Sequence, residues 1–347
     1  MKIFNLLREN IKSLKPYSCA RDEFKGEASV YLDANESPFN SPYNRYPDPL
    51  QLEVKKLISK LKGVPVDNIF LGNGSDEPID LLYRAFCEPR KDNVVAIDPT
   101  YGMYKVCADI NDVEYRKVPL NDKFDVDAYK LIDSANHNTK IIWLCSPNNP
   151  TGNSLNTDEI LKLLQWFRGI VVVDEAYIDF SQRASFVKQL EKFPNLVVLQ
   201  TMSKAWGNAA IRMGMAFASE EIIQVLNKIK YPYNINLLSQ EHAKKALQHP
   251  ETKNQSVEVI LEERKLLIKN LNELSMVKEI YPSDANFILV KVDNADMTYN
   301  WLVNKGIIVR NRSNITLCGN CLRITVGVSN ENKTLIEALR AFSDIFK

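Results

Sequence analysis

The sequence predicts an α/β protein with a mostly parallel sheet that helices cover on both faces, followed by a smaller α+β domain. Short, wholly apolar runs at residues 170–173 and 196–199 are typical of strands that are buried on both faces. Helical patterns separate these runs, which indicates parallel strands joined by crossover helices. Beyond residue 231, long charged helical patterns replace this alternation. We therefore predict two domains of different architecture.

Length and composition agree with this organisation. The 347 residues are 45% hydrophobic and 25% charged, as expected for a soluble globular protein of about two domains. The net charge of +1 gives no indication of nucleic-acid binding, which needs clustered excess basic residues. No apolar run approaches the ~20 residues of a membrane span. Charges interrupt the apolar N-terminus and no cleavage site follows, so we expect a cytoplasmic protein without a signal peptide.

The six cysteines are scattered, and without a secretion signal we expect reduced thiols. Cys318 and Cys321 form the one CxxC motif. We expect no metal there, because the three histidines offer no second pair of ligands at a suitable spacing. A redox role is also disfavoured, because the motif does not open a helix in a thioredoxin-like βαβ unit.

Taken in order, the chain begins with an arm and an extended segment, residues 1–45, whose first 14 residues have the spacing of an amphipathic helix. We expect this arm to pack on the small domain or on a partner subunit. Residues 31–49 are rich in Pro, Asn and Asp, which predicts an irregular connection. The large domain is predicted over residues 46–232 and the small domain over residues 233–347.

In the large domain we predict strands at 68–71, 94–97, 141–144, 170–173 and 196–199, and a helix at 52–61. Further helices should begin after the motifs GNGSDE and PTYGMY and at Thr157, which we expect to cap its helix. In the small domain, helices are predicted at 240–247, 251–274 and 332–346, with strands at 287–290 and 322–326.

Every polar motif of the large domain follows a predicted strand. These motifs are GNGSDE (72–77), PTYGMY (99–104), SPNNPTG (146–152), DEAY (174–177) and TMSK (201–204). In open α/β sheets, ligands bind at the carboxyl ends of the strands. The sequence therefore predicts one site, at that edge of the sheet.

Lys204 is the first candidate for chemistry. Hydroxyl groups, small residues and one tryptophan surround it in the sequence, without an acid to pair it. Desolvation makes such a lysine easier to deprotonate, and a neutral lysine can form a Schiff base with an aldehyde cofactor. Thr201, Ser203 and Arg212 are suitable donors for a phosphate dianion. On this stretch alone, a surface lysine beside a structural arginine remains an alternative.

The GNGSDE motif is a glycine-rich turn that enters a helix, where free N–H groups and the helix dipole favour a phosphate. A dinucleotide-binding fingerprint does not fit, because Glu77 occupies the position of its third glycine. The sequence also contains no P-loop. An ordinary strand-to-helix turn remains the alternative.

Asp174 follows four apolar strand residues, so its carboxylate should be buried and need a cationic partner. A protonated pyridine nitrogen is such a partner. Tyr177 and Asn149 could donate to a ring hydroxyl, and Tyr101 could stack on the ring. Together these residues favour pyridoxal 5′-phosphate (PLP).

With these motifs in this order and spacing, the chain resembles the fold-type I PLP-dependent aminotransferases. PYSCAR, DANESP and RYPDP near the N-terminus and GIIVR and CLRITVG near the C-terminus resemble the histidinol-phosphate aminotransferase branch. The resemblance covers nearly the whole chain. It implies a seven-stranded sheet sandwiched by helices, a PLP cofactor and a homodimer with shared active sites.

The resemblance also implies roles for individual residues. Lys204 would bind the cofactor covalently and move the proton, Asp174 would pair with the pyridinium, and Tyr101 would stack on the ring. The other positions implied are Asn149 and Tyr177 at the ring hydroxyl; Ser75, Asp76, Thr201, Ser203 and Arg212 at the cofactor phosphate; Tyr46 at the phosphate of the partner subunit's cofactor; and Tyr17, Asn35, Arg310 and Arg323 at the substrate.

The reaction implied is transamination of L-histidinol phosphate with 2-oxoglutarate, giving imidazole acetol phosphate and L-glutamate in L-histidine biosynthesis. An aromatic amino-acid aminotransferase and a threonine-phosphate decarboxylase are alternatives with the same layout. A non-catalytic binding protein and a purely structural protein are alternatives outside this class. Neither nucleic acid nor a membrane is expected as a partner.

The sequence departs from the family after the lysine. The family usually has KAFGLAGLRLG, whereas Asn208 and Ala210 here replace a leucine and a glycine. If that glycine position requires a positive φ, Ala210 would be strained.

Overall fold

A seven-stranded sheet forms the centre of the computed structural model, which describes residues 3–17 and 28–345. Its strands are β1 (Ile69–Asn73), β2 (Asn93–Asp98), β3 (Glu114–Pro119), β4 (Thr139–Cys145), β5 (Ile170–Asp174), β6 (Leu196–Thr201) and β7 (Met213–Ala218). The strand order is β1-β7-β6-β5-β4-β2-β3, and only β7 runs antiparallel to its neighbours. The predicted mostly parallel sheet is confirmed.

Helices cover both faces of this sheet because its strands are apolar on both faces. In β5, Val171 and Val173 belong to the hydrophobic core on one face, while Ile170 and Val172 belong to the core on the other. Burying each such side chain contributes about 1.5–3 kcal/mol. The α-helices that the structure describes in residues 3–17 and 28–230 are α1 (Glu9–Ser13), α2 (Leu52–Lys62), α3 (Asp76–Phe86), α4 (Met103–Ile110), α5 (Ala128–Asp133), α6 (Thr157–Trp166) and α7 (Glu220–Ile229).

One local prediction needs correction, and two strands were not predicted. Helix α6 is capped by Asn156 and not by Thr157: the Asn156 side chain accepts hydrogen bonds from the N–H groups of Asp158 and Glu159, and Thr157 is the first helical residue. The edge strand β3 and the antiparallel strand β7 were not predicted individually. β7 is buried at all six residues, yet its sequence MGMAFA lacks the β-branched residues that mark its neighbours.

The N-terminal arm packs on the large sheet layer. Ile3, Leu7 and Ile11 are buried in the same core as α3 and α7. Arg8 donates hydrogen bonds to Glu88 and to the carbonyl of Arg84. In the single chain, residues 3–11 of the arm therefore contact the large sheet layer, and the packing of residues 1–45 on the small domain or on a partner subunit stays a prediction.

The C-terminal part contains an antiparallel four-stranded sheet of order β10-β11-β9-β8. Its strands are β8 (Val277–Ile280), β9 (Phe287–Val292), β10 (Arg310–Asn311) and β11 (Cys321–Thr325), and the helices are α8 (Leu237–Gln248), α9 (Pro250–Asn272), α10 (Ala295–Asn304) and α11 (Ser329–Ile345). A separate hydrophobic core joins this sheet to α9, α10 and α11. The domain boundaries at residues 45 and 232 stay a prediction. Within the described residues, no helix combines the length and apolar character needed to cross a membrane.

The two sheets meet next to the predicted site. Tyr177 and Ala205 of the large domain share a small core with Val257 of α9 and Phe287 of β9. The parallel register aligns the ends of β4, β5 and β6, so that the loops following these strands emerge at one edge of the large sheet, facing the small sheet.

Candidate active site

A cavity of about 710 Å³ lies at this edge, between the two sheets. Of the residues proposed from the sequence, it is lined by Ser75, Asp76, Tyr101, Asn149, Asp174, Tyr177, Thr201, Ser203, Lys204, Arg212, Arg310 and Arg323. We call the part built by the large sheet the sheet-edge wall; it comprises the residues of this set from Ser75 to Arg212. The opposite part, formed by Arg310, Arg312 and Arg323, is called the arginine face.

Lys204 stands in the turn that follows β6, three residues after the strand ends. Its Nζ lies 5.6 Å from the centre of the Tyr177 ring. The side chain is exposed and lines the cavity, and partial desolvation lowers the pKa of Lys204, with the Arg323 charge adding to the effect. A lysine with a lowered pKa is suited to act as a nucleophile and a base.

Asp174 is the last residue of β5 and is fully enclosed. Its Oδ2 accepts a hydrogen bond of 2.7 Å from the Tyr104 hydroxyl, and its Oδ1 accepts one of 3.0 Å from the N–H of Ala176. Burial nevertheless raises the pKa of Asp174 to about 6. A carboxyl group that is held in place but forms no salt bridge with a described residue is a suitable partner for a ligand cation.

The turn between β1 and α3 forms an anion cradle. The first N–H groups of α3 have no partner within the helix and form the positive end of its dipole. Close backbone packing positions the turn, since a Cβ built on Gly214 would lie 2.2 Å from the carbonyl carbon of Gly74 and from the nitrogen of Ser75. Only glycine fits at position 214.

Arg212 completes this cradle. Its backbone adopts a positive φ of 55°, and its carbonyl accepts a 2.8 Å hydrogen bond from the Gly74 N–H. The guanidinium lies 3.6 Å from the Asp76 carboxylate and donates to the carbonyl of Ala209. Helix N–H groups and a guanidinium around one pocket are the donors that a phosphate requires.

Thr201 and Ser203 support the same corner. The Oγ1 of Thr201 lies 3.0 Å from the Oγ of Ser203 and accepts a hydrogen bond from the Ser203 N–H. The condition for strain at Ala210, a positive φ, is not met: Ala210 lies in a short 3₁₀ turn, and the positive-φ residue of this stretch that is not glycine is Arg212. Asn208 lies just before that turn, where its Oδ1 is 3.0 Å from the Nε2 of His242.

The ring-binding candidates occupy different sides of the cavity. Tyr101 lies two residues before α4 and donates a 3.1 Å hydrogen bond to Asp76. Tyr177 is mostly buried against Phe287. Of the two asparagines in SPNNPTG, Asn148 is buried in the loop, where it donates to the carbonyl of Pro99, whereas Asn149 lines the cavity and accepts a hydrogen bond from Arg323. Asn149 therefore connects the sheet-edge wall with the arginine face.

The arginine face comes from two neighbouring strands of the small sheet. Arg310 of β10 lies opposite Arg323 of β11, and Arg312 follows two residues later. Burial lowers the pKa of Arg323 and of Arg312, and in each case a neighbouring arginine lowers it further. No described acidic residue forms a salt bridge with any of the three.

Sequence reasoning missed two residues of this site. Tyr104 is buried and reaches the site through its hydrogen bond to Asp174, and its position three residues after Tyr101 in the PTYGMY motif is the signal that the sequence offers. Arg312 lay two residues from Arg310, the spacing that places strand residues on one face.

Three predicted residues do not line the cavity. Tyr17 is 75% exposed, and Asn35 has a positive φ of 53° in the extended segment. Tyr46 stacks on Tyr233 with a ring separation of 4.4 Å. Their assignments to the substrate and to the partner's cofactor remain predictions.

The CxxC motif is buried beneath the arginine face. Cys321 donates its N–H to the carbonyl of Cys318, so the motif forms a turn. Burial raises the pKa of Cys318 to about 12 and that of Cys321 to about 11, which keeps both thiols protonated. Among the described residues, no group of three or more His, Cys, Asp or Glu side chains could hold a metal ion.

The fold and the site together define a class of enzyme: a lysine, an enclosed acid and an anion cradle at the carboxyl edge of this sheet order are the arrangement of a transferase that acts through an aldehyde cofactor. The family model described as "Aminotransferase class I and II" matches residues 28–339.

Individual relatives narrow this class. The chain is 60% identical over 336 residues to a histidinol-phosphate aminotransferase of Parabacteroides distasonis, covering 97% of each chain. It is also 60% identical to that of Bacteroides thetaiotaomicron, covering 97% of this chain and 98% of the relative. A crystal structure of the Sinorhizobium meliloti histidinol-phosphate aminotransferase in complex with PLP matches in fold, with a TM-score of 0.81, 22% identity and 90% of each chain covered. The chain belongs to the aminotransferase class I and II family, in its histidinol-phosphate aminotransferase branch.

Proposed function

We propose that this protein transfers the amino group of L-histidinol phosphate to 2-oxoglutarate, giving imidazole acetol phosphate and L-glutamate in L-histidine biosynthesis. One observation carries the proposal: a single cavity places Lys204 and Asp174 opposite a face of arginines without acidic partners among the described residues. Such a face needs a strongly anionic substrate. Relatives that are 60% identical and bear the name of this enzyme support the same conclusion.

PLP is the cofactor that we infer. The residues present fit it in two respects. The cradle at Gly74 would be filled by any side chain, since a Cβ there would lie 2.5 Å from the Arg212 guanidinium. Asp174 is enclosed without a salt bridge to a described residue, and a cationic ring nitrogen would satisfy it. When bound, PLP supplies the aldehyde that takes up the amino group and a ring that accepts electrons.

Lys204 then has the central part in the chemistry. Its lowered pKa favours the neutral amine, which would serve first as the nucleophile that holds the cofactor and afterwards as the general base for the proton on the substrate's Cα. The Nζ of Lys204 lies 5.6 Å from the centre of the Tyr177 ring. The ring therefore limits the directions that the amine can take.

Asp174 and Tyr104 act as a unit. The hydrogen bonds from Tyr104 and Ala176 stabilise the carboxylate form, which burial alone would disfavour. A carboxylate that is fixed in a low-dielectric site strongly stabilises a positive charge on the group that it contacts.

The arginine face serves both half-reactions. The amino donor presents a phosphate, and 2-oxoglutarate presents a carboxylate of similar reach. The guanidinium fork accepts either group, because its donors match the oxygen spacing of both. One site can therefore exchange two chemically different substrates.

We further propose a homodimer in the cytoplasm. Several large apolar side chains of the segment before α2 are exposed in the single chain, among them Leu32 and Phe39. A second copy covering this segment would bury them and bring Tyr46 towards the other subunit's cofactor phosphate. The described cysteines carry free thiols, in line with a reducing compartment.

Absorption spectroscopy of the full-length protein tests the function. We expect PLP to produce a visible band that bleaches in a single turnover with L-histidinol phosphate or L-glutamate. The kcat/KM for L-histidinol phosphate should exceed that for L-phenylalanine by at least about 100-fold, because a site built for a polar group rejects a ligand that lacks it. Lys204→Ala should give no such band, whereas the exposed Lys188→Ala should behave as the wild type.

Other outcomes replace the proposal. Bleaching by aromatic amino acids alone would make the protein an aromatic aminotransferase. Release of CO₂ from threonine phosphate would make it a decarboxylase. A visible band that persists in Lys204→Ala would contradict the assignment of the lysine.

A further inference from the structure

The backbone arrangement puts three arginines on one face of the small sheet. Arg310 pairs directly with Arg323 across β10 and β11, and the ladder continues with a 2.8 Å hydrogen bond from the Arg312 N–H to the carbonyl of Cys321. Residues i and i+2 of a strand share a face, so Arg312 lies on the side of Arg310 and of the cavity. Asn311, between them, is turned away and donates a 2.5 Å hydrogen bond to Asp296.

This arrangement is unfavourable unless an anion is present. Like charges that face each other across an antiparallel pair destabilise the sheet. Arg323 has a neutral partner, the Asn149 side chain, whereas the side chains of Arg310 and Arg312 form no hydrogen bond or ion pair with any described residue. The Nε of Arg312 is buried and has no hydrogen-bond partner. Three guanidinium groups that line one cavity without an acidic partner among the described residues point to an anionic ligand.

A structural role does not account for the Arg312 side chain. The main chain of Arg312 continues the sheet, and any residue other than proline would do that. The side chain contributes a charge within range of Tyr177 and of the other two arginines. These groups surround the part of the cavity that faces Lys204.

We propose that Arg312 is a specificity-determining residue, which adds a third guanidinium to the arginine face and makes the site prefer a phosphate dianion to a carboxylate. The proposal rests on the proposed function in one respect, the identity of the phosphate-bearing amine. Two guanidinium groups are sufficient for a carboxylate with two oxygens and one charge. A phosphate has three free oxygens and close to two charges at neutral pH, so it gains more from a third donor.

The test compares two amino donors on the PLP-loaded protein. In Arg312→Gln we expect the kcat/KM for L-histidinol phosphate to fall at least about tenfold more than that for L-glutamate, the range for losing a hydrogen bond to a charged group. Most of this loss should appear in KM. Arg312→Lys restores the charge without the fork and should recover part of the preference.

Arg340→Gln is the matched control. It removes the same charge from the small domain, at an exposed helical site paired with Glu273, and should leave the ratio of the two donors unchanged. Equal losses for both donors in Arg312→Gln, or an unchanged ratio, would overturn the proposal.

A second measurement separates this inference from the proposed function. Inorganic phosphate should inhibit the L-glutamate half-reaction, and its inhibition constant should rise about tenfold in Arg312→Gln while that of acetate changes little. If the wild type ignores L-histidinol phosphate, the proposed function fails, but this phosphate effect still decides the role of Arg312. Equal inhibition of wild type and variant by phosphate would exclude that role.

Discussion

The two walls of the cavity are built in opposite ways. On the sheet-edge wall, the polar groups bind each other: Tyr104 donates to Asp174, Tyr101 donates to Asp76, and the hydroxyls of Thr201 and Ser203 are 3.0 Å apart. On the arginine face, like charges lie side by side, and a neutral amide is the described hydrogen-bond partner of one of them.

This difference corresponds to what each wall has to hold. A cofactor that stays bound through many turnovers benefits from donors that are fixed in advance, because fixed dipoles need no reorganisation. Substrates that alternate between a phosphate and a carboxylate benefit from donors that are not committed to protein partners. The stability sacrificed on the arginine face is therefore recovered only when an anion binds.

Two neighbouring acids give the sharpest test of the sheet-edge wall. Asp174 and Glu175 are both enclosed, but Asp174 lines the cavity, whereas Glu175 accepts hydrogen bonds from Ser185, Phe186 and Gln200 away from it. We expect Asp174→Asn to lower kcat by about 10²–10³-fold, the usual loss for an electrostatic group at the reacting centre. The kcat of Glu175→Gln should stay within about threefold of the kcat of the wild type, because this acid is not at the reacting centre. Steady-state kinetics on the PLP-loaded proteins measures both values of kcat. Similar losses of kcat in the two variants would contradict the special role of Asp174.

The same substitution should affect stability in the opposite direction. Burial raises the pKa of Asp174 from its ordinary value of 3.8 to about 6 in the cofactor-free fold, so the folded protein holds this proton more tightly than the unfolded chain. That contribution to the free energy of unfolding is complete below about pH 4 and is lost as the pH rises through about 6. Between pH 4 and pH 8, the free energy of unfolding of the cofactor-free wild type should therefore fall by about 2–3 kcal/mol relative to that of Asp174→Asn. Urea unfolding at both pH values measures this change, and a constant difference between the two proteins would contradict it.

The anion cradle can be tested without touching any side chain that binds a ligand. Gly214→Ala introduces a methyl group 2.2 Å from the backbone of Gly74 and Ser75, so the turn must move. We expect a loss of about 1–3 kcal/mol in stability, as for overpacked cores, and about tenfold weaker PLP binding. Gly319→Ala, where no atom lies within 4 Å of the new Cβ, is the control. Unchanged PLP titrations in Gly214→Ala would show that the cradle is not the phosphate site.

The sequence predicted the sheet-edge wall better than the arginine face, for a physical reason. The motifs that contain Asp174 and Lys204 follow apolar strands, and parallel strands bring their carboxyl ends to one edge, so local pattern and topology are enough to place these two residues. Arg310 and Arg323 were assigned only through the family resemblance, since nothing local distinguishes them from surface arginines.

What the sequence could not predict depends on pairing between distant segments. Tyr104 reaches Asp174 across 70 residues, and Arg312 gains its place from the register of β10 against β11. Strand β7 was missed for the same reason, because its small and unbranched residues fit between β1 and β6 only in the antiparallel register that brings Gly214 to Gly72. Packing decides these features, and packing is not visible in periodicity.

The smallest effect that we expect concerns the connection between the two walls. The loop after β10 contributes Ile315 to the cavity and is tied to the large domain by a 2.6 Å hydrogen bond from the Thr316 hydroxyl to Asp98. Thr316→Val removes this exposed bond, worth about 1 kcal/mol, and should raise the KM of both anionic donors about two- to fivefold. PLP affinity should stay as in the wild type, because the sheet-edge wall does not depend on this loop. Thr334→Val, whose hydroxyl bonds within its own helix, controls for the loss of a surface threonine. If Thr316→Val weakened PLP binding as much as substrate binding, the two walls would have to be regarded as one cooperative unit.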